Sequence, residues 1–586
     1  MKTLIDTLLR RALRALPDEV VPAALRDSTI EVEGTRDPLH GDFASNIAMQ
    51  LAKATRQNPR KLAQALLAAL PAHDSIAKVE IAGAGFINFF LKEDAYHAEL
   101  GKVLAQGSDY GKSQFGAGHS VLVEFVSANP TGPLHVGHGR HAAFGATVAN
   151  LLQAVGYRVG REYYINDAGR QMEILSVSTW LRYLERCGER FAFPANGYRG
   201  DYIVAIAQQL YDAEGTSLRR GVAEVFDNLP ADEPQGGDKD VYIDALIVRA
   251  RLLIGDSAFR RVLDRALDGI LSDIREDLAE FGVTFDSWYS ERSLTDSGAV
   301  DRAVDALEAA GRAYRKDGAL WFKSTEYGDE KDRVMVRDNG IKTYFASDIA
   351  FIFNKRERGF EHLLYIWGAD HHGYITRLRA GLIALGGPPE CFEVRLVQFV
   401  SLFRGGEKAQ MSTRSGEFVT LRDLRKEVGN DAARLFYVMR SNDQHLDFDL
   451  ELAKARSNDN PVYYIQYAHA RVASVKRQLN ERGIAHDGER GLASLGKLTE
   501  PQELQLIKRL ASFPEIVQQC ALQRAPHTLV HYLRDLANDF HTYYSAHQFI
   551  APDVALRDAR LTLALATQTV IRNGLGLLGV SAPDTM

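Results

Sequence analysis

Ser127-Ala-Asn-Pro-Thr-Gly-Pro-Leu-His-Val-Gly-His-Gly-Arg140 is the stretch on which the reading of the fold turns. It follows an apolar run, Val121–Val126, that reads as a buried parallel strand. It precedes His141–Leu152, a run of small and apolar residues that reads as a helix. Such a strand–loop–helix crossing is where open α/β sheets bind ligands. His135 and His138 stand three apart and share one face of the first helical turn. The unpaired amides and positive dipole end of that turn suit a phosphate. Gly137 and Gly139 remove side chains that would block a close approach, and Pro130 and Pro133 stiffen the entry loop.

Working outward, the chain divides into three units. Residues 1–110 show helical patterns over 4–16 and 45–70 and short strands near 30–33, 78–81 and 86–90. Gly101–Gly118 reads as a linker. Residues 111–430 open with the strand at 121–126. Their βα alternation resumes at Glu361–Trp367 with a helix from Ile375, and Val394–Phe403 reads as a further strand. A more polar stretch, about 190–345, holds a Gly/Asp-rich loop at 228–239 and a helical pattern over 241–282. It reads as an insertion. From Asp431 to the end the pattern is helical, with no convincing strand. The expected fold is therefore α/β: a Rossmann-like parallel-sheet catalytic domain with an insertion, an N-terminal α+β domain, and a C-terminal all-helical domain.

At 586 residues the chain is too long for one core. With 46% hydrophobic and 25% charged residues it packs rather than staying disordered. A net charge of −6 argues against a uniformly basic surface but leaves room for local phosphate-binding patches. Cys187, Cys391 and Cys520 lie far apart with no CxxC spacing, so neither a structural zinc nor a disulfide framework is expected, and a reduced cytoplasmic setting fits. No apolar run of about 18 residues predicts a membrane span. The Arg-bearing amphipathic N-terminus fits either a transit peptide or a first domain helix; Asp6, Asp18 and Glu19 favour the helix.

A second segment, Ser401–Leu421, carries glycines, Lys408, hydroxyls and Arg414 after a strand. That composition suits a loop able to close on polyphosphate, and equally a solvated turn. The pair of segments is more informative than either alone. His135-Val-Gly-His138 resembles the first signature of class I aminoacyl-tRNA synthetases. Gln410-Met-Ser-Thr413 resembles, imperfectly, their second, Lys-Met-Ser-Lys. Glu124–His138, His40–Ala48 (His-Gly-Asp-Phe-Ala-Ser-Asn-Ile-Ala), Gly83–Phe89 and Asp431-Ala-Ala-Arg434 are similar to marks of the arginyl-tRNA synthetase family, from about residue 38 to the C-terminus.

The resemblance implies arginine activation by ATP, with Mg2+ accompanying the nucleotide, and transfer to tRNA(Arg). In-line attack on the α-phosphate needs positioning and positive charge more than covalent help. His135 and His138 are placed for that, and Gly137, Asp370, Met411 and Ser412 fall in the ATP region. A guanidinium has five donors and a permanent charge, so its pocket must supply carboxylates. Glu124 is a carboxylate inside an apolar strand, costly to bury without a cation. Asn129 follows that strand, and Tyr344 and Asp348 share a face if their stretch is helical. The resemblance carries arginine contact to Glu124, Asn129, Tyr344 and Asp348; the competing reading pairs Glu124 or Asp348 with a structural arginine. Gly368–Gly373 ends a strand and opens a helix, and Asp370, His372 or Tyr374 is a candidate substrate contact there, with His138 and His372 also reaching the amino acid. Adjacent histidines rarely share a metal, and no metal site is expected. Phe86 and Asn88 match positions that read a base of the tRNA D-loop. The helical domain, with Tyr463, Tyr464, Tyr467, Tyr543 and Tyr544, is expected to hold the anticodon stem-loop, most of those tyrosines lying in its core.

One departure stands out. Both lysines of the second signature are missing, and Gly132 occupies the place where some relatives carry a compensating lysine. Lys408 and Arg414 are the nearest replacements and are assigned to the catalytic set with His135 and His138. The alternatives are another class I synthetase or adenylate-forming ligase, which the Glu124/Asp348 pair disfavours, and an inactive RNA-binding paralogue, which the histidine pair disfavours. A monomer is the family-based expectation.

Overall fold

The structure, a computed structural model, describes residues 1–35, 37–409 and 419–586. The N-terminal unit is a four-stranded antiparallel sheet backed by helices. Its strands are β1 (Val32–Gly34), β2 (Phe43–Ser45), β3 (Ile76–Ala82) and β4 (Phe86–Leu91), in the order β1-β2-β4-β3. β2 is a strand that the sequence pattern did not signal, being only three residues long. The helical pattern over 45–70 is two helices, Ile47–Thr55 and Pro59–Ala69. Arg56 takes a left-handed conformation (φ 53), and Asn58 caps the second helix ahead of Pro59. The stretch read as a linker is packed instead. Gly101 lies inside the helix Glu93–Gln106, and the buried Tyr110 donates its hydroxyl to the Leu510 carbonyl at 3.1 Å.

The centre of the molecule is a five-stranded parallel sheet. β5 (Ser120–Glu124) is its middle strand, flanked by β6 (Arg158–Ile165) and β7 (Ser287–Ser290) on one side. A small antiparallel sheet of β8 (Ala313–Lys316), β9 (Ala319–Phe322) and β10 (Arg333–Val336) intervenes in the chain. β11 (His362–Gly368) and β12 (Phe392–Val397) complete the main sheet, in the order β12-β11-β5-β6-β7. β5 is apolar on both faces because both are covered. Val121 and Val123 pack towards the helix Val136–Ala154, while Leu122 faces the helix Tyr344–Glu357. The chain leaves β5 to one side for β6 and returns on the other as β11, so the strand order reverses at β5 and opens a crevice beyond its C-terminal end.

Ser287–Ser290 pairs in parallel with β6, so part of the polar stretch 190–345 belongs to the sheet itself. The helices Arg170–Arg186, Asp201–Glu214 and Lys239–Glu280, the last interrupted at Gly255 (φ 77), pack together on a core of their own. The single strand expected over 394–403 divides between two sheets. β12 closes the main sheet, whereas β13 (Val400–Arg404) joins β14 (Glu407–Lys408) and β15 (Leu446–Asp449) in another. β15 overturns the expectation of no strand after Asp431; its parallel pairing with β13 is long-range and leaves no local signature. The rest of that region is helical, with Pro461–Glu481, Pro501–Gln523, Pro526–Ala546 and Val554–Leu578 forming the C-terminal bundle. Each of the first three starts on a proline, whose missing N–H falls where no helical acceptor exists.

Asp431-Ala-Ala-Arg434 joins these parts. Arg434 is buried in the helix Asn430–Val438 and donates to the carbonyls of Leu578 and Phe281 at 3.0 Å and of Gly282 at 3.3 Å. Asp431 accepts from the Ser581 amide at 3.0 Å and from Gln466 at 2.8 Å. One short helix thus staples the end of the long catalytic-side helix to the C-terminal bundle. Replacing Arg434 by Met leaves the two buried carbonyls of Leu578 and Phe281 without this donor, about 1–3 kcal/mol for each group stranded. Arg434→Met is expected to lower the midpoint of thermal unfolding by several degrees and to expose the 578–586 tail to limited proteolysis.

Candidate active site

The crevice is built from five segments. β5 ends on Glu124, after which the chain turns sharply: Val126 (φ 68) and Ser127 (φ 40) are both left-handed without being glycine. A β-branched residue there is strained by roughly 1–3 kcal/mol, and the turn is held by Tyr163, whose hydroxyl donates to the Ala128 carbonyl at 3.0 Å. The turn delivers Asn129 to the surface, where it donates to Gln171 at 3.0 Å and accepts from Asn166 at 2.8 Å.

His135 is the N-cap of the helix Val136–Ala154. Its Nδ1 accepts from the amides of Gly137 (3.1 Å) and His138 (3.4 Å), and the Nδ1 of His138 accepts from the His135 amide at 3.3 Å. The two rings stack at 3.6 Å. Burial holds both imidazoles below their ordinary pKa, His138 well below it, so each carries one proton. With both Nδ1 atoms accepting, that proton sits on Nε2, and each ring is a neutral Nε2–H donor. This alters the expectation that first-turn amides would bind phosphate. Gly137 and His138 amides go to His135, the Val136 amide goes to the Val419 carbonyl at 3.2 Å, and the Gly139 amide goes to the His135 carbonyl at 3.3 Å. The glycines also serve neighbours inside the protein. A Cβ at Gly137 would meet the His135 ring at 2.9 Å, and one at Gly139 would meet Leu421 and Tyr437 at 2.7 Å.

The segment that follows the second signature loop is sewn to this turn. The Leu421 amide donates to Leu134 at 2.8 Å, and His135 bridges Thr420. Gln410, Met411, Ser412, Thr413 and Arg414 lie outside the described residues. Lys408 stands at the other end of that loop, exposed on β14, and it lines with Val419 a cavity of about 440 Å³ between β13 and the helix Leu421–Val428.

The opposite wall is the helix Tyr344–Glu357, whose Tyr344, Asp348, Phe351 and Lys355 recur at helical spacing along one face. Tyr344 is 68% exposed and its hydroxyl lies against Gly169. Burial, then the charge of Glu291, pushes Asp348 up to about 7, with Arg377 and Glu124 also within electrostatic reach. Glu291 is raised in turn by burial and by Asp167. Asp167 itself has a cation, Arg292 at 3.0 Å. Glu124 does too: it pairs with the Lys355 ammonium, which also lies 3.4 Å from Glu162, while Arg358 takes the other Glu162 oxygen at 2.6 Å. The sequence reading of Glu124 as a carboxylate awaiting an external cation therefore needs amending, since an internal lysine reaches it. Asp348 and Glu291 carry the charge that the protein leaves poorly compensated.

Asp370, His371 and His372 follow β11 and are exposed; Asp370 lies 3.4 Å from His371. Asp370 and His135 both act on half-buried His141, which desolvation depresses to about 4, so the 368–373 turn and the histidine turn face one site. Among the described residues, the His/carboxylate group close enough to share a metal, His119, Glu361 and His362, lies at the N-terminal ends of β5 and β11, away from this crevice. Lys355, Glu162, Glu291, Asn166 and Gln171 are site residues that sequence reasoning missed. Lysine four residues past Phe351 and a glutamate in a strand carry no local mark; only sheet register brings them to Glu124.

Phe86 is 42% exposed at the start of β4, while Asn88 beside it on the same face is only 5% exposed. Of the five bundle tyrosines only Tyr543 is buried. Tyr463 stacks on Tyr467 at 5.7 Å, and Arg471 lies over the rings of Tyr467 (4.5 Å) and Tyr544 (4.8 Å). The expected core tyrosines are thus largely a half-exposed aromatic–arginine cluster.

A parallel sheet with its crevice at the strand reversal, a paired-histidine turn opening the first helix and the segment 419–421 hydrogen-bonded beside it are the features of a class I aminoacyl-tRNA synthetase catalytic domain. The family models agree: tRNA synthetases class I (R), catalytic domain, matches residues 99–189 and 240–459; Arginyl tRNA synthetase N terminal domain matches 3–91; and DALR anticodon binding domain matches 465–586. The chain belongs to the arginyl-tRNA synthetase family. It is 59% identical to an arginine–tRNA ligase of Thioalkalivibrio sulfidiphilus and 53% identical to one of Legionella pneumophila (strain Corby), each over all of both chains. Its fold matches the arginyl-tRNA synthetase of Thermus thermophilus with a TM-score of 0.74 at 23% identity, over all of both chains. It matches that of Plasmodium falciparum with a TM-score of 0.71 at 15% identity, over 100% of this chain and 99% of the other.

The cap role of His135 is separable from any chemical role. His135→Ala is expected to lose about 1 kcal/mol of stability, read by chemical denaturation, whereas His135→Asn keeps an N-cap acceptor and loses little.

Proposed function

We propose that the chain is an arginine–tRNA ligase that activates L-arginine with ATP and transfers it to tRNA(Arg), with the crevice at the end of β5 as its active site. The observation that carries this reading is the pair of under-compensated carboxylates, Asp348 and Glu291, beside Glu124. A buried carboxyl held near neutral pKa by burial and by a like charge binds a cation and ionises as it does so. A permanently charged, planar guanidinium suits it. Asp348, Glu124, Tyr344 and Asn129 contact the arginine, with His138 and His372 nearer its reacting end. The Nε2–H groups of His135 and His138 donate to the triphosphate as charge develops, and Gly137, Asp370, Met411 and Ser412 line the nucleotide. Mg2+ travels with ATP; Asp370 is an exposed carboxylate near the histidine turn that suits its hydrated shell. Lys408 and Arg414 stand in for the missing signature lysines on the leaving pyrophosphate.

Residues 1–110 hold the tRNA D-loop, Phe86 offering a stacking face and Asn88 the neighbouring polar group. Residues 111–430 carry catalysis, with an inserted segment in the 190–345 stretch, and 431–586 hold the anticodon arm. Tyr463, Tyr467 and Tyr544 around Arg471 have the composition of a base-stacking platform. No described helix is long and apolar enough to cross a membrane, and we take the enzyme to work as a cytoplasmic monomer.

ATP–pyrophosphate exchange tests the reading across all twenty amino acids, with and without tRNA. Exchange is expected with arginine and cognate tRNA alone; exchange with lysine, or none, overturns it. Because Asp348 must be ionised to pair with the guanidinium, arginine KM is expected to rise as pH falls below about 7, towards tenfold per unit. Asp348→Asn is expected to raise KM about 30-fold or more at pH 8 and to flatten that dependence, as losing about 2 kcal/mol of a buried charge pair implies. Lys408→Ala and Arg414→Ala are expected to lower kcat far more than arginine affinity; normal turnover in both would remove them from the catalytic set.

A further inference from the structure

Beneath the arginine crevice lies a charge cluster of which the proposed reaction uses only Glu124. In the parallel register Tyr365 sits opposite Glu124, and Glu124 opposite Glu162, so three neighbouring strands present these side chains side by side on one face. Over them lies Lys355, 1% exposed, on the helix that also carries Tyr344 and Asp348. Its ammonium pairs with Glu124, lies 3.4 Å from Glu162, and sits 4.0 and 4.1 Å from the ring centres of Phe351 and Tyr365. The second Glu124 oxygen accepts from the Ser127 hydroxyl at 3.3 Å, and that hydroxyl is itself fixed by the Tyr164 amide at 3.1 Å.

We propose that Lys355 is a positioning residue for arginine recognition: it pairs with Glu124, aims that carboxylate into the crevice, and sets the distance of the Tyr344–Asp348 helix face from the sheet. The inference rests on the reading of Glu124 as an arginine contact. Three observations separate Lys355 from an ordinary structural ion pair. It is the cation shared by two adjacent buried carboxylates, of which Glu162 has a second cation in Arg358 and Glu124, among the described residues, has no other within 4 Å. It lies on the same helical face as two proposed substrate contacts, so the pair fixes carboxylate and helix together. Aromatic rings pack its ammonium, which favours a cation and excludes water. The charged and titratable groups facing Glu124 are Lys355 and Asp348 from the helix, Glu162 and Tyr164 from β6, and Tyr365 from β11. Burial and Glu162 push Glu124 towards its neutral form, and Lys355 is the largest influence opposing them. Removing Lys355 pushes that carboxyl further towards its neutral form, so that arginine binding displaces more proton from it.

Calorimetric titration of the full-length protein with L-arginine at pH 7.5, in two buffers of different ionisation heat, reads both affinity and protons released. Lys355→Met is expected to weaken binding by tenfold or more and to release up to one additional proton per arginine bound. Lys355→Arg keeps the charge and is expected to stay closer to wild type in proton release. Lys355→Met/Glu162→Gln removes one carboxylate with the cation, guards against a misfolded single variant, and is expected to recover part of the affinity. Unchanged or tighter binding by Lys355→Met would mean that the lysine is inert or competes with the substrate, and overturns the proposal. Weaker binding with no extra proton, unrelieved by Glu162→Gln, reduces Lys355 to packing and overturns it as well. Glu124→Gln keeps the two questions apart: if it binds arginine normally, the pocket assignment itself is wrong, whereas loss of affinity there beside a silent Lys355→Met defeats the positioning role alone.

Discussion

Two glutamates on adjacent strands of a parallel sheet, pointing to the same covered face, set an electrostatic problem that the surrounding architecture solves. Glu124 needs a cation in that position, because burial and the neighbouring Glu162 both push its carboxyl towards the neutral form. Lys355 meets that need and Arg358 pairs with Glu162, both from the C-terminal half of one helix. Removing one partner of a buried pair leaves the other charge stranded, so the pairs fix the position of the helix against β5, β6 and β11. The helix then presents Tyr344 and Asp348 at its N-terminal half, in the crevice. That wall of the crevice is thus held in place by a charge cluster lying mostly beneath it.

The other wall solves a different problem. A helix N-terminus is a ready anion site only while its amides are free. Here four of them are consumed, two by the His135 ring, one by the His135 carbonyl and one by Val419. The anion-binding capacity is moved outward from the backbone to two Nε2–H donors on stacked rings. The gain is geometric. A group that meets these rings meets donors fixed by a reciprocal cap rather than by a flexible loop, in keeping with electrostatic preorganisation. Tying the cap to Val419 and Thr420 also couples it to whatever the signature loop does, since both ends of the histidine turn share hydrogen bonds with the segment leaving that loop.

What the sequence revealed and what it hid follow from the range of the interactions. The strand–turn–helix around Ser127–Arg140 was legible because apolar runs, prolines and glycines act locally, and because four separate stretches resemble one family. Asp348 was legible as the partner of Tyr344 on a helix face. Lys355 and Glu162 were not, because their meaning comes from strand register across more than 190 positions of sequence. β15 was hidden for the same reason, and β7 was hidden inside a polar stretch because an edge strand needs only four residues and one partner. The Tyr463–Tyr467–Arg471 cluster was misread as core because tyrosine spacing on a helix does not say which face the bundle leaves open.

The Asp431–Arg434 helix shows how a recognisable motif can be architectural. Its arginine donates to carbonyls of the 281–282 turn and of Leu578, and Tyr437 one turn later donates to the Val136 carbonyl at 2.8 Å. The same short element therefore touches the end of the long helix Lys239–Glu280, the C-terminal helix and the first turn of the histidine-bearing helix. A movement of the C-terminal bundle, such as one imposed by a bound RNA arm, has a rigid, hydrogen-bonded route to the phosphate donors. Contact of this kind is a physical path, and it becomes a coupling only if the element has two arrangements that ligands favour unequally.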